Sequence, residues 1–410
     1  MPDVIQPSSR SLRGLDWLNF FLADVQTGVG PFLAAALTAR KWNPQQVGFA
    51  LTVGGLITIA VQGPAGAIVD ALRKKRMLIA VGVVGVAVAA LVFAFGSSMP
   101  LIVSAQVLLG GVAPFLGSAV TAITLGLVGK QLFDARLGRN NSFNSAGNVF
   151  AAVLLGGVGW YLGNRALFLT VPVLAIPALI SLGLIRPNEI DYLRARGARG
   201  EGEPATVSGF RTLLADRVLL GFACATFLFH FANAAMLPQL GEMLARGHTR
   251  AAAPFMSAAV TVTQTVIALT AVWIGKTAGR IGRRPLLLFG FGVLPIRAVL
   301  YTFTNSVPLL VAIQILDGVA NSIFVVVSTL VVADRTSGTG RLNVALGGLA
   351  MAVGIGGALS NVVAGSVAQK AGFATSFLLL GGIAVLAFLT LAVLVPETLR
   401  GRGVGTGFDE

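Results

Sequence analysis

The stretches GAIVDALRKKRML (66–78) and GKTAGRIGRRPLL (275–287) decide the fold. Each is a short basic hairpin between two long apolar runs, and the second nearly repeats the first. A chain that repeats such a hairpin about half its length later reads as a duplicated membrane protein.

Composition around the hairpins agrees. The chain is 55% hydrophobic and 11% charged, with a mean hydropathy of +0.83, whereas a soluble domain carries about 25% charged residues. The lipid bilayer is therefore the expected solvent. A hydrocarbon core of about 30 Å takes about 20 apolar residues per helix. Twelve such runs lie between charged and turn-forming breaks: 15–37, 47–69, 77–95, 101–128, 143–162, 166–185, 218–237, 252–274, 285–303, 307–333, 344–367 and 373–395. The expected fold class is an all-α membrane protein of twelve transmembrane helices in two pseudo-symmetric six-helix bundles, 1–185 and 218–410. A cytoplasmic linker over 186–217 joins them. It contains RARGARGEGEPATVSG (194–209), whose Gly, Arg and Glu content suits a tether rather than a core.

Further pairs support the duplication. Gly66 and Gly275 are 209 residues apart, Gln106 of QVLLG and Gln314 of QILDG 208, Pro31 and Pro238 207, and Gly138 of GRNN and Gly340 of GRLN 202. Four matches in one order at nearly one offset are the mark of an internal repeat.

A net charge of +14 raises nucleic acid as a partner, and the placement of the charge excludes it. Of 30 Lys and Arg, 23 fall in the linker, the tails and the loops on one side of the segments, six on the other side, and Arg297 inside a segment. By the positive-inside rule both termini are cytoplasmic, in the cell membrane. No stripe of basic and aromatic residues is present for nucleic acid to follow. The start, MPDVIQPSSRSLRG, lacks a cleavage pattern, so the first segment is read as an uncleaved insertion signal. The lone Cys224 rules out a disulfide framework.

Ionisable residues deep in the segments are few: Asp24, His230, Arg297 and Asp317, all near mid-depth. An unpaired charge there costs from about 2.5 kcal/mol upward, so each is paired, neutral or in use. Asp24 reads as the carrier of a proton or other cation. Arg297 and Asp317, on consecutive segments, fit a structural ion pair as well as a coupling site. His230 fits a switch near neutral pH or a packed ring. Amides extend the pattern: Gln26 aligns with Asn233 at the 207 offset, His230 and Asn233 are three apart, and Asp317 and Asn321 four apart, so each pair shares a helix face. Asn141, Asn144 and Asn148 form another stripe, and Gln106 and Gln264 are single amides that serve equally as ligand contacts or as glue between helices.

In these features the chain resembles the major facilitator superfamily over nearly its whole length. Gly66, Asp70, Arg73, Lys74 and Lys75 occupy the places of that family's loop signature, with Arg73 where its second Gly stands. The second copy keeps Gly275, Arg280, Gly282, Arg283 and Arg284, with Gly279 in place of the Asp. Pro396 to Thr398 (PET) is similar to the family's usual ending. The resemblance implies a secondary transporter that works by alternating access and whose first, fourth, seventh and tenth helices line a central cavity. Asp24, Gln26, Gln106, His230, Asn233, Asp317 and Asn321 then form the substrate or proton site, and the two basic loops with Asp70 form a cytoplasmic gate. Its proton-driven exporters carry an RxxQG run in the fourth helix and a Gly-Pro pair in the fifth. Here Gln106, Leu109, Ala151 and Ala152 stand instead, which leaves the direction of transport open.

Other classes fare worse. No HExxH or paired-carboxylate spacing points to an enzyme, and a multidrug exporter, channel or receptor on the same fold remains the alternative. No metal cluster, nucleotide loop or Walker run is present in the sequence, so no cofactor is expected and energy comes from an ion or solute gradient. The expected partners are a small organic solute, a proton or other coupling ion and lipid, with the chain acting as a monomer.

Overall fold

The computed structural model describes residues 7–27, 30–72, 74–192, 216–247, 249–336 and 342–399, and among them it is helical without a strand. The helices are α1 (Ser9–Thr27), α2 (Gly30–Ala39), α3 (Pro44–Ala71), α4 (Lys75–Phe95), α5 (Met99–Leu184), α6 (Arg217–Ala234), α7 (Met236–Gly247), α8 (Thr249–Ile281), α9 (Arg283–Leu300), α10 (Val307–Thr336) and α11 (Leu342–Leu394).

Local chemistry sets their ends. α3 opens on a capping box in which Asn43 and Gln46 each accept the other's backbone N–H, at 2.8 and 3.1 Å, with Pro44 in the first turn. The Asp216 carboxylate accepts the N–H groups of Val218 and Leu219 at the start of α6. α5 and α11 pass through several apolar segments and change direction at Gly129 (φ 69°), Gly163 (φ 83°) and Gly372 (φ 88°). That backbone region is cheap only for glycine. With these breaks each of the twelve apolar segments has its helical stretch, the first shared by α1 and α2 and the seventh by α6 and α7.

Eight continuous helical stretches among the described residues are long and apolar enough to cross a membrane. Two of them, Arg139–Leu184 and Ala345–Leu394, are long enough for two crossings each. Large apolar side chains stand on the outside, among them Leu269, Phe303 and Val393, each more than three-quarters exposed. Water would not tolerate so much uncovered apolar surface, and lipid does.

Contacts divide the chain into two compact units. The first comprises Met1–Pro204, Ala234–Thr261 and Gly357–Ser376, the second Ala205–Asn233, Val262–Gly356 and Phe377–Glu410. The first unit thus takes in parts of α7, α8 and α11. Thr52 in α3 donates to the Ala358 carbonyl in α11 at 2.7 Å, and Gly48 lies so close to the Asn361 carbonyl that a Cβ would not fit. The Ser257 hydroxyl in α8 donates to the Ala152 carbonyl in α5, and α2 packs on α7. Small residues permit these approaches. Thr52, Gly48 and Ser257 lie toward the starts of α3 and α8, at the opposite end of each helix from the basic hairpin.

The core of the second unit is aromatic. Phe229 lies 4.5 Å from Phe291 and is stacked on Phe324 at 5.4 Å between ring centres.

Candidate functional site

In the second unit α6, α8, α9 and α10 bring one polar network together. Arg297 of α9 is 1% exposed and forms an ion pair with Asp317 of α10. Its Nη1 also donates to Asn233 Oδ1 at 2.7 Å, and its Nε to the Tyr301 hydroxyl at 2.8 Å. Gln314 Nε2 reaches the same hydroxyl at 2.8 Å. On the acid, Oδ1 accepts Asn321 Nδ2 at 2.9 Å and Oδ2 accepts Thr263 Oγ1 at 3.2 Å. Four of the residues picked out by the sequence, Asn233, Arg297, Asp317 and Asn321, therefore meet. Tyr301, Gln314 and Thr263 complete the network and were not picked out. Gln314 was legible as the repeat partner of Gln106, and Tyr301 as one helical turn beyond Arg297.

The electrostatics of the network are lopsided. The arginine is buried against Tyr301, while the Asp317 side chain keeps 11% of its surface. A guanidinium with three hydrogen-bonded neighbours is a fixed charge. The carboxylate is the member with free surface.

His230 does not join the network. Its ring meets Phe324 edge-on at 4.6 Å and Phe229 at 5.3 Å, and its Nε2 is buried with no partner among the described residues. Asp317 is within electrostatic reach.

Gln106, buried in the first unit, donates Nε2 to the Ala50 carbonyl at 3.2 Å and so ties α5 to α3. Asp24 and Gln26 lie on α1, and Gly66 and Asp70 on α3, with the side chains of Asp24, Gln26 and Asp70 outside what the structure describes. Arg73 lies outside it entirely, and Lys74 is exposed.

The second basic loop is tied down within its own unit. Gly275 lies in α8 and Arg280 is exposed near its end. Arg283 Nε meets Asp334 Oδ2 at 3.1 Å and its Nη1 the Ala278 carbonyl at 2.6 Å, while Arg284 Nη2 donates to the Ala392 carbonyl at 2.7 Å. Glu397 of the PET run accepts the N–H groups of Arg283 and Arg284 at 2.9 and 3.0 Å, an anion at the start of α9. Gly282, at φ 103°, lies against that carboxylate, leaving no room for a Cβ.

Two acids escaped the sequence reading. Asp16, 4% exposed, pairs with Arg136 at 2.6 Å and Arg139 at 2.9 Å, so these arginines bind α1 to α5. Glu242 falls beyond the seventh apolar segment, ended at 237. The helix instead runs to Gly247 and buries Glu242 to 2% exposure. Leu237, Leu240 and Leu244 at helical spacing were the available signal.

The family model described as Major Facilitator Superfamily matches residues 17–258 and 222–410. An uncharacterized MFS-type transporter of Mycobacterium tuberculosis, matched in two strains, is 40% identical over 400 residues, covering 97% of this chain and 96% of the relative. Among solved structures, the nucleoside transporter NupG superposes with a TM-score of 0.80 at 16% identity, over 94% of this chain and 99% of that one. A bacterial homolog to the human lysosomal transporter Spinster, inward-facing and unoccupied, superposes with a TM-score of 0.74 at 14% identity, over 96% and 98%.

Proposed function

This chain belongs to the Major Facilitator Superfamily of secondary transporters, and we propose that it moves a small organic solute across the cytoplasmic membrane by alternating access, coupled to protons. It is a multi-pass membrane protein of the twelve-helix MFS fold. The observation that carries the proposal is the Arg297–Asp317 network, a buried charge pair whose carboxylate retains free surface among amides.

A carboxylate held by an arginine stays ionised, and it gains affinity for a proton when that partner is drawn away. Asp317 serves as such an acid. Asn233 and Asn321 supply amide contacts to the solute, and His230 stands beside them. Asp24 and Gln26 on α1 form the matching acid and amide of the first half. Amides, carboxylates and many Phe suit an amphipathic or cationic organic solute. The same cycle serves import or export according to the gradients, so direction is read from the assay. Asp70 and the two basic loops form the cytoplasmic gate, and the chain works as a monomer.

The test begins with a thermal-shift screen of the purified protein against amphipathic cations, nucleosides and other small polar organics. The strongest hit is then followed in proteoliposomes. Flux should saturate, and Asp24→Asn and Asp317→Asn should each keep counterflow exchange while losing accumulation under an imposed proton gradient. Flux that rises linearly with solute would point to a channel. Mutants that both still concentrate the solute would remove proton coupling at these acids.

A further inference from the structure

We propose that the seam between α6 and α10 is a hydration switch: closed in this structure, it takes up water at Thr226, Ser328 and His230 when the two helices part. Its use in transport rests on the alternating-access reading above.

Two contacts fix how the helices face each other, both inside the second unit. Near the middle, Phe324 of α10 is stacked on Phe229 of α6 and meets the His230 ring edge-on at 4.6 Å. At one end Asp216, just before α6, pairs with Arg335 in the last turn of α10 at 2.7 Å. The helices therefore run antiparallel, and Thr226, one turn before His230, stands level with Ser328, one turn after Phe324. Spacing puts both hydroxyls on the facing sides, Thr226 in a stripe with Phe229, His230 and Asn233, and Ser328 in a stripe with Phe324 and Arg335. The other sides of α10 are taken. Ile323 packs on Gly290 of α9, and Ser322 is bonded to Thr270 of α8.

Three polar atoms of this seam are stranded. Thr226 is 0% exposed and Ser328 3%, and Thr226 Oγ1, Ser328 Oγ and His230 Nε2 have neither access to water nor a hydrogen-bond partner among the described residues. The side chains of α6, of α9, of α10 as far as Arg335 and of α11 from Ala345 are all described, so none of these hides a partner. Buried helical hydroxyls commonly bond back to the carbonyl four residues earlier, as Thr270 and Thr329 do here with Val266 and Val325. Thr226 and Ser328 do not.

A buried polar group without a bond forfeits what water gave it, and two hydroxyls on one seam forfeit it together. The closed seam is thus held against a cost that a single water bonded to both hydroxyls would remove. Water admitted there also meets His230, one turn from Asn233, which holds the arginine of the Arg297–Asp317 pair. Phe222 and Val331, both 0% exposed, lie one turn nearer Asp216 and Arg335 and close that end. The wetting is therefore confined to the stretch beside the ion pair.

The experiment measures the reaction of silver ion, little larger than water, with the thiol of Ser328→Cys in the full-length Cys224→Ser protein in nanodiscs. Thiol left over is counted with a maleimide after unfolding. Ser328→Cys should react measurably, and Val331→Cys, equally buried but beyond the polar stripe, far more slowly. Adding Thr226→Val should slow Ser328→Cys by about fivefold or more, because the closed seam then strands one hydroxyl fewer. In the parent background Thr226→Val and Ser328→Ala should each melt at or above the parent temperature, since neither removes a bond. A Ser328→Cys thiol as inert as Val331→Cys overturns the proposal, as does a rate indifferent to Thr226→Val. Variants that both melt below the parent overturn it too, because their hydroxyls were then bonded within the closed seam. The measurement contains no solute. Reactivity as expected beside solute flux indifferent to a proton gradient would sink the proton-coupled transport reading and leave the switch standing. An inert seam beside proton-driven flux would sink the switch alone.

Discussion

Arg297 and Asp317 form an ion pair across α9 and α10 in which the arginine is almost fully buried and the acid keeps some surface. The arginine is locked by Asn233 and Tyr301 as well. The pair therefore has one member held on all sides and one that keeps some surface.

Removing one member of this pair leaves the other as an uncompensated buried charge. Arg297→Met and Asp317→Leu should each destabilise the protein by about 3–5 kcal/mol, and the double variant by clearly less than either. Thermal unfolding in detergent provides the cycle. A double variant as damaged as the sum of the two singles would show that the residues act independently.

Asp16 holds two arginines of unequal burial. Arg136 is 8% exposed in its side chain and Arg139 58%. Arg136→Ala should lower the melting temperature markedly, because it removes the buried partner of Asp16 together with the contacts to Asn140 and the Leu12 carbonyl. Arg139→Ala should move the melting temperature only slightly. Equal shifts would contradict the assignment of Arg136 as the structural partner.

Glu397 should make the second unit acid-sensitive. Burial by itself would raise its carboxyl, but the backbone N–H groups of Leu399, Arg283, Arg284 and Thr398 outweigh it and hold the group below the usual carboxylate range. A depressed folded value means stability that is present above the unfolded value of about 4.3 and is lost as pH falls through the folded one. Melting temperature should thus fall more steeply between about pH 5 and pH 3 in the parent than in Glu397→Gln. Parallel curves would argue against this cap as a source of acid sensitivity.

Orientation is testable by impermeant maleimide in intact cells expressing Cys224→Ser variants. A cysteine in place of Gly200 should be protected, and one in place of Arg246 labelled. Labelling at both positions would reverse or break the topology expected from the basic loops.

Asp70→Asn should cut turnover several-fold while leaving solute affinity nearly unchanged, as expected of a gate residue rather than a binding residue. Initial rates in proteoliposomes across solute concentrations separate the two parameters. A rise in half-saturation at constant maximal rate would place Asp70 in binding.

The apolar helical segments and the family were legible in the chain itself. Hydropathy and repetition are local properties, and a bilayer about 30 Å thick turns segment length into architecture. That Asn233, Arg297, Asp317 and Asn321 meet was decided by tertiary structure, because pairing depends on how each helix is rotated and where it bends. Hydropathy carries no such information. The same reason hid Tyr301, Gln314 and Thr263, which are unremarkable residues until the fold sets them beside a charge. Asp16 was hidden because it stands at the edge of its segment, and only the approach of α5 buries it. Glu242 was hidden because an amphipathic end of a helix scores as a loop. Its burial comes from the helices packed around α7, and one of these, α2, stands some two hundred positions away in the sequence.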